Sequence, residues 1–366
     1  MKSIRQLVLI LSLLACMPTS YAYDWNIQTI DYEGRVGVHV SLDLDSNGKP
    51  HIAHYEGLNG TLKYSYLSDS GWIHQTIDNS FDTGWYPSIA LGGDDSVHIS
   101  YLSNGSLKYA NNRNAVWSTE TIDAHGMVGW DTSLALDHSN EPHISYRTRT
   151  SPYYLMYAYH ENNVWHTQTL DVTNISGSRT ALALDDFGNA SIIYGRGIEL
   201  AHAYFNTEDW NCESTHQFTQ SYPSACYDKK GNLHVSFLGN DGCLGYGLWD
   251  GSAWTFQTVD SIFAEVTTSI TVDDNGNPYI SYYDQLNESL KFAYWNGQMW
   301  TTEIVDSSGN VGRSNSIAVD AMGTVHIAYS DVTNWDLKYA TATIPEPATL
   351  SLLALGAFWA GRKRRT

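Results

Sequence analysis

The chain repeats one unit of 43 to 48 residues seven times, and this period constrains the fold more than any other feature. Each unit opens with an apolar strand, as at 133–137, and returns after a hairpin as a second strand, as at 142–146. A third strand carries Leu-Lys-Tyr or a variant of it. A fourth strand begins with Trp. Because β-branched and aromatic residues alternate between Gly, Asn and Asp turns, every element is predicted to be a strand.

The fourth-strand tryptophan occurs in all copies, and an aspartate follows six residues later in all but one. The tryptophans are Trp25, Trp72, Trp117, Trp165, Trp210, Trp254 and Trp300. The aspartates are Asp31, Asp78, Asp123, Asp171, Asp260 and Asp306, with His216 as the exception. Four strands repeated seven times predict an all-β fold, a seven-bladed β-propeller of four-stranded blades.

The two ends of the repeat array predict how the propeller closes. The last unit stops at 337–339 without a Trp strand, whereas a spare Trp strand at 24–31 precedes the first unit. We expect this N-terminal strand to complete the last blade, which removes an exposed sheet edge. Residues 23–344 are therefore predicted to be one domain, with an open solenoid as the alternative.

Residues 1–22 read as a signal peptide. Lys2 and Arg5 precede an apolar run at 7–15, and a small-residue cleavage site ends at Ala22. A lasting membrane anchor is the alternative, although the apolar run is short for one. A second alternative is lipidation at Cys16, because residues 13–16 resemble the lipobox of bacterial lipoproteins.

The C-terminal residues 345–366 combine three features in a fixed order. Pro345, Glu346 and Pro347 precede an apolar stretch at 348–360, and four basic residues follow at 362–365. This order resembles the PEP-CTERM sorting signal of Gram-negative bacteria, and the resemblance implies an exosortase as partner that cleaves near the motif. A plain C-terminal transmembrane helix is the alternative. Either way we expect export to the outer surface or extracellular matrix of a Gram-negative bacterium.

The charge of the predicted domain excludes one class of partner. Residues 23–344 contain 14 Lys and Arg against 38 Asp and Glu, a net charge of −24, which makes nucleic acid a poor ligand. Only Cys212, Cys226 and Cys243 remain after export, and they permit at most one disulfide.

Residues that recur at one register are expected to be structural. Histidines at one second-strand position are predicted to hydrogen-bond within the packing between blades; they are His51, His98, His143, His234 and His326. Asp43, Asp45 and Asn47 have the spacing that opens a calcium loop, but His54 stands where the ligating Glu belongs. The same hairpin resembles the Asp-box turn of sialidase-type propellers without its Trp, so no site is carried over. We assign no cofactor, with calcium at this turn as the alternative.

Six of the seven arginines in the predicted domain fall in loops that share one face of a propeller. They are Arg35, Arg147, Arg149, Arg179, Arg196 and Arg313, and only Arg113 lies elsewhere. Arginine holds carboxylate or sulfate groups bidentately and stacks on flat rings. The same loops carry aromatic residues suited to sugar rings: His39, His125, Trp85, Tyr86, Trp130, Tyr153, Tyr154, Tyr222 and Trp335. Local pairing of these arginines with acids such as Asp131 and Glu199 is the alternative.

The sequence leaves three functions open. The first is a binding module for an anionic extracellular polysaccharide or glycan. The second is an enzyme, because some lyases of uronic-acid polymers are also seven-bladed propellers. Arg179 or Arg196 would neutralise the uronate, and His125 or Tyr154 would remove the proton. Asp131 and Glu199 would serve a hydrolase instead. The third is a protein scaffold of the matrix.

The fourth unit departs most from the repeat, so any catalytic site is expected there. Ser191 replaces its second-strand His, His202 replaces its third-strand Tyr, and His216 replaces its final Asp. His202 is therefore a third catalytic candidate.

Overall fold

A computed structural model describes residues 23–343 except 114, 152, 173–178, 207 and 262–263. Residues 25–342 form one compact unit. The predicted signal peptide and the predicted sorting tail, including the apolar stretch at 348–360, lie outside the described residues. Over the residues that are described, no helix is long and apolar enough to cross a membrane.

The regular elements are 27 strands. They are β1 (Asn26–Asp31), β2 (Val38–Leu44), β3 (Pro50–Glu56), β4 (Thr61–Ser68), β5 (Gly71–Asp78), β6 (Thr83–Leu91), β7 (Val97–Ser103), β8 (Ser106–Asn111), β9 (Ser118–Asp123), β10 (Trp130–Leu136), β11 (Pro142–Arg147), β12 (Leu155–Glu161), β13 (Val164–Asp171), β14 (Thr180–Leu184), β15 (Ala190–Arg196), β16 (Glu199–Phe205), β17 (Trp210–Tyr227), β18 (Leu233–Gly239), β19 (Leu244–Trp249), β20 (Trp254–Asp260), β21 (Ala264–Val272), β22 (Pro278–Asp284), β23 (Ser289–Trp295), β24 (Trp300–Asp306), β25 (Val311–Val319), β26 (Thr324–Asp331) and β27 (Asp336–Thr343).

The strands form antiparallel sheets that follow the repeat, which confirms the predicted all-β class. Four sheets are runs of consecutive strands, β2–β5, β6–β9, β10–β13 and β21–β24. A fifth has the order β25-β26-β27-β1, so the N-terminal strand pairs with the last strand of the chain, as the spare Trp strand predicts.

The sixth sheet contains seven strands, β14 to β20, and differs from the sequence prediction. We expected a loop between the fourth strand of the fourth unit and the first strand of the fifth. Instead β17 is continuous, and it pairs with β16 through its first half and with β18 through its second half. The register shifts on both sides of the change of partner, at the positions where bulges bend a strand. Below, units one to seven begin at β2, β6, β10, β14, the second half of β17, β21 and β25.

Serines on the first strands join neighbouring units. The Ser41 hydroxyl accepts the backbone N–H of Ile89 at 3.1 Å, and Ser316 accepts that of Leu42 at 3.0 Å, which links the seventh unit to the first. Four further serines make the same bond: Ser88, Ser133, Ser224 and Ser269. Ala181 occupies this position in the fourth unit.

A carboxylate at the end of six of the seven fourth strands makes a second connection. Asp306 accepts hydrogen bonds from Tyr329 at 2.7 Å and from Lys338 at 2.5 Å, both in the following unit. We call this Asp, Tyr and Lys arrangement the anchor cluster. It recurs as Asp78, Tyr101 and Lys108 and as Asp260, Tyr282 and Lys291. Because the carboxylate is buried, its charge is tolerated only with these partners.

The recurring histidines lie beside the third-strand tyrosines, in agreement with a structural role. His51 Nδ1 lies 2.5 Å from the Tyr64 hydroxyl, and His234 Nδ1 lies 2.8 Å from that of Tyr246. Further pairs are His98 with Tyr109, His143 with Tyr157 and His326 with Tyr339. Burial lowers the pKa of these imidazoles, so they remain neutral at pH 7.

Removing one tyrosine hydroxyl from an anchor cluster is expected to destabilise the fold. Tyr329→Phe leaves the buried Asp306 without one of its donors, which should lower the free energy of unfolding by about 1–3 kcal/mol. Denaturant unfolding followed by tryptophan fluorescence measures the loss. Tyr32→Phe is the matched control, because Tyr32 is 71% exposed. An unchanged midpoint in Tyr329→Phe would contradict the importance of the cluster.

Low pH should weaken the anchor clusters, because it protonates their carboxylates. Burial acts to raise the pKa of Asp78, but hydrogen bonds from Lys108, Ser80 and Tyr101 outweigh it and lower the pKa to about 2. A carboxyl whose pKa is lower in the folded than in the unfolded state stabilises the fold above about pH 4, and that stabilisation is lost toward pH 2. We expect the unfolding temperature to fall across this range and the fall to be shallower in Asp78→Asn. Parallel profiles for the two proteins would refute the assignment.

Candidate functional site

In five units a residue near the start of the first strand lies in the left-handed backbone region, always two positions before the serine position described above. They are His39, Tyr86, Asp131, Arg179 and Tyr222, with φ values of 51°, 50°, 54°, 69° and 67°. We call them the mouth residues. Residues with a Cβ rarely adopt this conformation, and where they do the surrounding structure must hold them.

Threonines of the following unit stabilise two of these backbone conformations by hydrogen bonds. The Thr132 hydroxyl donates to the carbonyl of Tyr86 at 2.7 Å, and the Thr180 hydroxyl donates to the carbonyl of Asp131 at 3.0 Å. The register also shifts around His39, Tyr86, Asp131 and Tyr222, where a bulge turns the side chain. Four of the five mouth residues face a common space.

That space is an open cavity of about 170 Å³ bordered by the first strands. His39, Tyr86, Asp131 and Arg179 line it, together with the serines and threonines of the inter-unit hydrogen bonds. The sequence indicated which loops share this face, but it gave no sign of the left-handed positions that bring these four side chains together.

An aromatic strip runs outward from the cavity. The rings of Tyr55 and Trp85 stack with centroids 4.1 Å apart, and His39 lies 5.6 Å from Trp85. His39 is 4.2 Å from Tyr86, which in turn is 5.4 Å from Trp130. The sequence analysis named four of these residues and missed Tyr55. Its position at the rim end of β3 was the only available signal.

The predicted arginines lie in three kinds of surroundings. Arg149 lies over the Trp130 ring at 4.0 Å, Arg35 over Trp335 at 5.0 Å, and Arg179 over Tyr222 at 5.5 Å. Guanidinium groups stacked in this way keep their N–H donors at the ring edge, where a ligand can reach them.

The other three arginines differ from these. Arg147 Nε is 2.6 Å from the Asp131 carboxylate, and Arg196 Nε is 3.3 Å from Asp171, so two arginines do pair with local acids. Arg313 is exposed. The local pairing considered from the sequence thus accounts for two of the six arginines.

The charges concentrate around the Tyr86 hydroxyl. Burial and then the Asp131 carboxylate raise the pKa of Tyr86, whereas Arg179, Arg147 and Arg149 oppose that rise. Burial, followed by the charge of Arg179, lowers the pKa of His39 to about 3. At pH 7 the region therefore holds three guanidinium groups, one carboxylate and a neutral imidazole, which is a positive centre in an acidic protein.

The three catalytic candidates lie in different surroundings. The His125 side chain is 98% exposed, and its Nδ1 lies 3.0 Å from Asp123. Tyr154 is tied through its backbone to Thr148. His202 is buried between units, where its Nε2 lies 2.9 Å from the Ser191 hydroxyl and burial lowers its pKa to about 3. A base for lyase chemistry among these three stays a prediction.

The hydrolase pair and the calcium turn are engaged in other contacts. Asp131 pairs with Arg147, and Glu199 accepts a hydrogen bond from Ser214.

At the turn, Asp45 accepts the backbone N–H groups of Asn47 and Lys49, and Asp43 accepts that of Leu91 in the next unit. Within the described part of residues 23–343, no group of three or more His, Cys, Asp or Glu side chains is placed to hold a metal ion. Cys212, Cys226 and Cys243 are free thiols.

Arg113 lies on the opposite face, as the sequence predicted. Its guanidinium donates to the carbonyl of Asn140 and lies 3.7 Å from Glu141, in the hairpin between β10 and β11. It offers a matched control for the arginines of the rim, the face formed by the mouth residues and the loops around them.

Comparison with known proteins bears on two of the predictions, the C-terminal sorting motif and the propeller type of fold. Residues 343–365 match the family model described as the PEP-CTERM protein-sorting motif. No curated protein sequence matches the chain. The motif marks the protein as exported and anchored by its C-terminus at the surface of a Gram-negative-type cell.

Solved structures share the fold at low identity. AofleA from Arthrobotrys oligospora has a TM-score of 0.55 and 14% identity, over 80% of this chain and 92% of that one. A variant of the Aleuria aurantia lectin in complex with α-methyl-L-fucoside has a TM-score of 0.55 and 11% identity, over 76% and 98%. A protein of unknown function from Dyadobacter fermentans has a TM-score of 0.54 and 8% identity, over 87% and 99%. These likenesses show that residues 25–342 have a β-propeller type of fold.

Proposed function

We propose that the protein is an exported carbohydrate-binding module, and that its rim binds an anionic polysaccharide or glycan of the extracellular matrix. The observation that carries the proposal is the positive centre at Tyr86 beside a continuous aromatic strip. Guanidinium groups suit the carboxylate or sulfate of such a polymer, and flat rings suit its sugar faces. The lectin complex with a fucoside supports the carbohydrate class, while the anionic preference rests on Arg149 and Arg179 of this chain.

We further infer that the sheets are the seven blades of a closed propeller. Counting β17 twice gives four strands to every unit. Serine hydrogen bonds link six of the seven neighbouring pairs, including the seventh unit with the first, and β17 joins the fourth unit to the fifth. The Aleuria aurantia lectin is described as six-bladed, so this chain would have one blade more. A crystal structure would count the blades directly.

The same proposal includes export by the signal peptide of residues 1–22 and recognition of Pro345, Glu346 and Pro347 by an exosortase. Presentation at the cell surface would place the rim among secreted polymers. The lyase, the hydrolase and the matrix scaffold remain alternatives, and binding assays on polymers separate them.

Polymer retention should depend on the rim arginines. We expect the chain from residue 23 onward, in mild detergent, to be retained on polygalacturonate and dextran sulfate but not on neutral dextran. Arg149→Ala combined with Arg179→Ala should weaken binding at least tenfold, because each charged hydrogen bond contributes about 1.5–3 kcal/mol. Arg113→Ala, on the opposite face, should bind as the wild type does.

Several outcomes would count against this proposal. Equal loss in Arg113→Ala would mean that overall charge, not the rim, determines retention. Release of unsaturated uronate ends during incubation would establish a lyase. Failure to bind any of the polymers would remove the carbohydrate function of the rim and favour a protein scaffold.

A further inference from the structure

One junction between units lacks the anchor cluster entirely. Between the fourth and fifth units, His216 stands for the Asp, Phe237 for the Tyr and Gly245 for the Lys. At the other junctions the Asp is always present, with at least one of its two partners or a basic neighbour in contact with it. A scattered loss would remove one partner at a time, whereas here all three are replaced together.

Two of the three replacements fit one another sterically. A Cβ at Gly245 would lie 2.5 Å from the Phe237 ring, so the ring packs directly on the glycine. Phe237 also meets Phe256 edge to face, with centroids 5.8 Å apart. His216 has a left-handed backbone with φ of 59°, where the strand changes partner. The junction is thus rebuilt around a glycine and two phenyl rings.

A cavity of about 130 Å³ opens at this place. Phe256, which is partly exposed, and Gly245 form the apolar part of the lining, the buried Phe237 borders it, and Gln217, Asp241 and Gln257 supply polar groups. None of the described residues that line it carries a positive charge. The cavity is lined by other residues than the mouth cavity and is therefore a separate site.

The polar side chains of the cavity have both donor and acceptor groups that the hydrogen bonds described below do not use. Asp241 Oδ1 accepts the N–H of Cys243, so the carboxylate has acceptor positions to spare. Gln257 accepts from Trp300 through its oxygen, which leaves its amide protons as donors. Gln217 donates to the carbonyl of Phe218, which leaves its oxygen as an acceptor.

We propose that the cavity between the fourth and fifth units binds a single neutral sugar ring. Ring C–H groups contact the partly exposed Phe256, and hydroxyl groups both donate to Asp241 and accept from Gln257. An anionic sugar is disfavoured by the Asp241 carboxylate in the absence of a cation. The inference rests on the proposed carbohydrate function but assigns a second ligand class to a different site.

The test restores the missing cluster. His216→Asp, Phe237→Tyr and Gly245→Lys, made together, reproduce the arrangement of Asp260, Tyr282 and Lys291 and should fill the cavity. The chain from residue 23 onward is examined by saturation-transfer NMR with methyl glycosides of neutral hexoses, 6-deoxyhexoses and N-acetylhexosamines, and with methyl glucuronide. We expect transfer to at least one neutral glycoside, none to the glucuronide, and none to any glycoside in the triple variant.

Two further variants keep the result decisive. Asp241→Ala changes an exposed side chain at the cavity, so it should remain folded and lose at least tenfold in affinity even where the triple variant fails to fold. Arg149→Ala with Arg179→Ala should keep the neutral-sugar signal while losing polymer retention, which separates the failure of one site from the failure of the other.

Three results would overturn the proposal. They are no transfer to any neutral glycoside, transfer that survives in both the triple variant and Asp241→Ala, and transfer to the glucuronide equal to that of the neutral compounds.

Discussion

The rest of the structure depends on buried carboxylates that connect one unit to the next. Each anchor cluster takes an Asp from the end of one fourth strand and satisfies it with groups from the following unit. A complete buried ion pair contributes little net stability, whereas removal of one partner leaves an uncompensated buried charge and is strongly destabilising. The acid is present at six of the seven junctions, where it ties each sheet to the next. The clusters leave the loops above them free to vary.

The candidate site uses that freedom. The mouth residues sit at the starts of first strands whose other ends are fixed by apolar packing and by serine hydrogen bonds. The Thr132 and Thr180 hydroxyls donate hydrogen bonds to the carbonyls of Tyr86 and Asp131. The side chains of these two mouth residues are therefore positioned before any ligand binds. Prior ordering lowers the entropy that binding must overcome. Stacked arginines serve the same end, since Arg149 on Trp130 is already oriented.

The sequence predicted the strands and the pairing of the N-terminal strand with the last unit, because both follow from the repeat, while a binding role for the rim arginines stays a prediction. The histidine series was also correctly interpreted, since residues that recur at one register share one environment. Other features were beyond reach. The continuity of β17 arises where His216 replaces the turn-forming Asp, and nothing local reveals whether a strand bends or breaks there. Tyr55 and the mouth residues His39, Tyr86, Asp131 and Tyr222 lie at bulges whose positions only the strand register shows.

The anchor cluster is altered at several junctions, and the contacts show whether the loss is partial, compensated or complete. In the third unit Met156 takes the Lys position alone, and Asp123 still accepts from Tyr146, so the cluster is reduced but remains. In the fourth unit Ala201 takes that position while Arg196 pairs with Asp171, which compensates the loss. At the next junction no compensation occurs: the acid, its hydroxyl donor and its cation are replaced together and a cavity remains. The anchor cluster is lost as a whole at this junction, although the acid is kept at the other six. This loss removes a stabilising connection that the same fold accommodates elsewhere. Where a fold gives up stability in this concerted way, a binding function is the physical reason we infer.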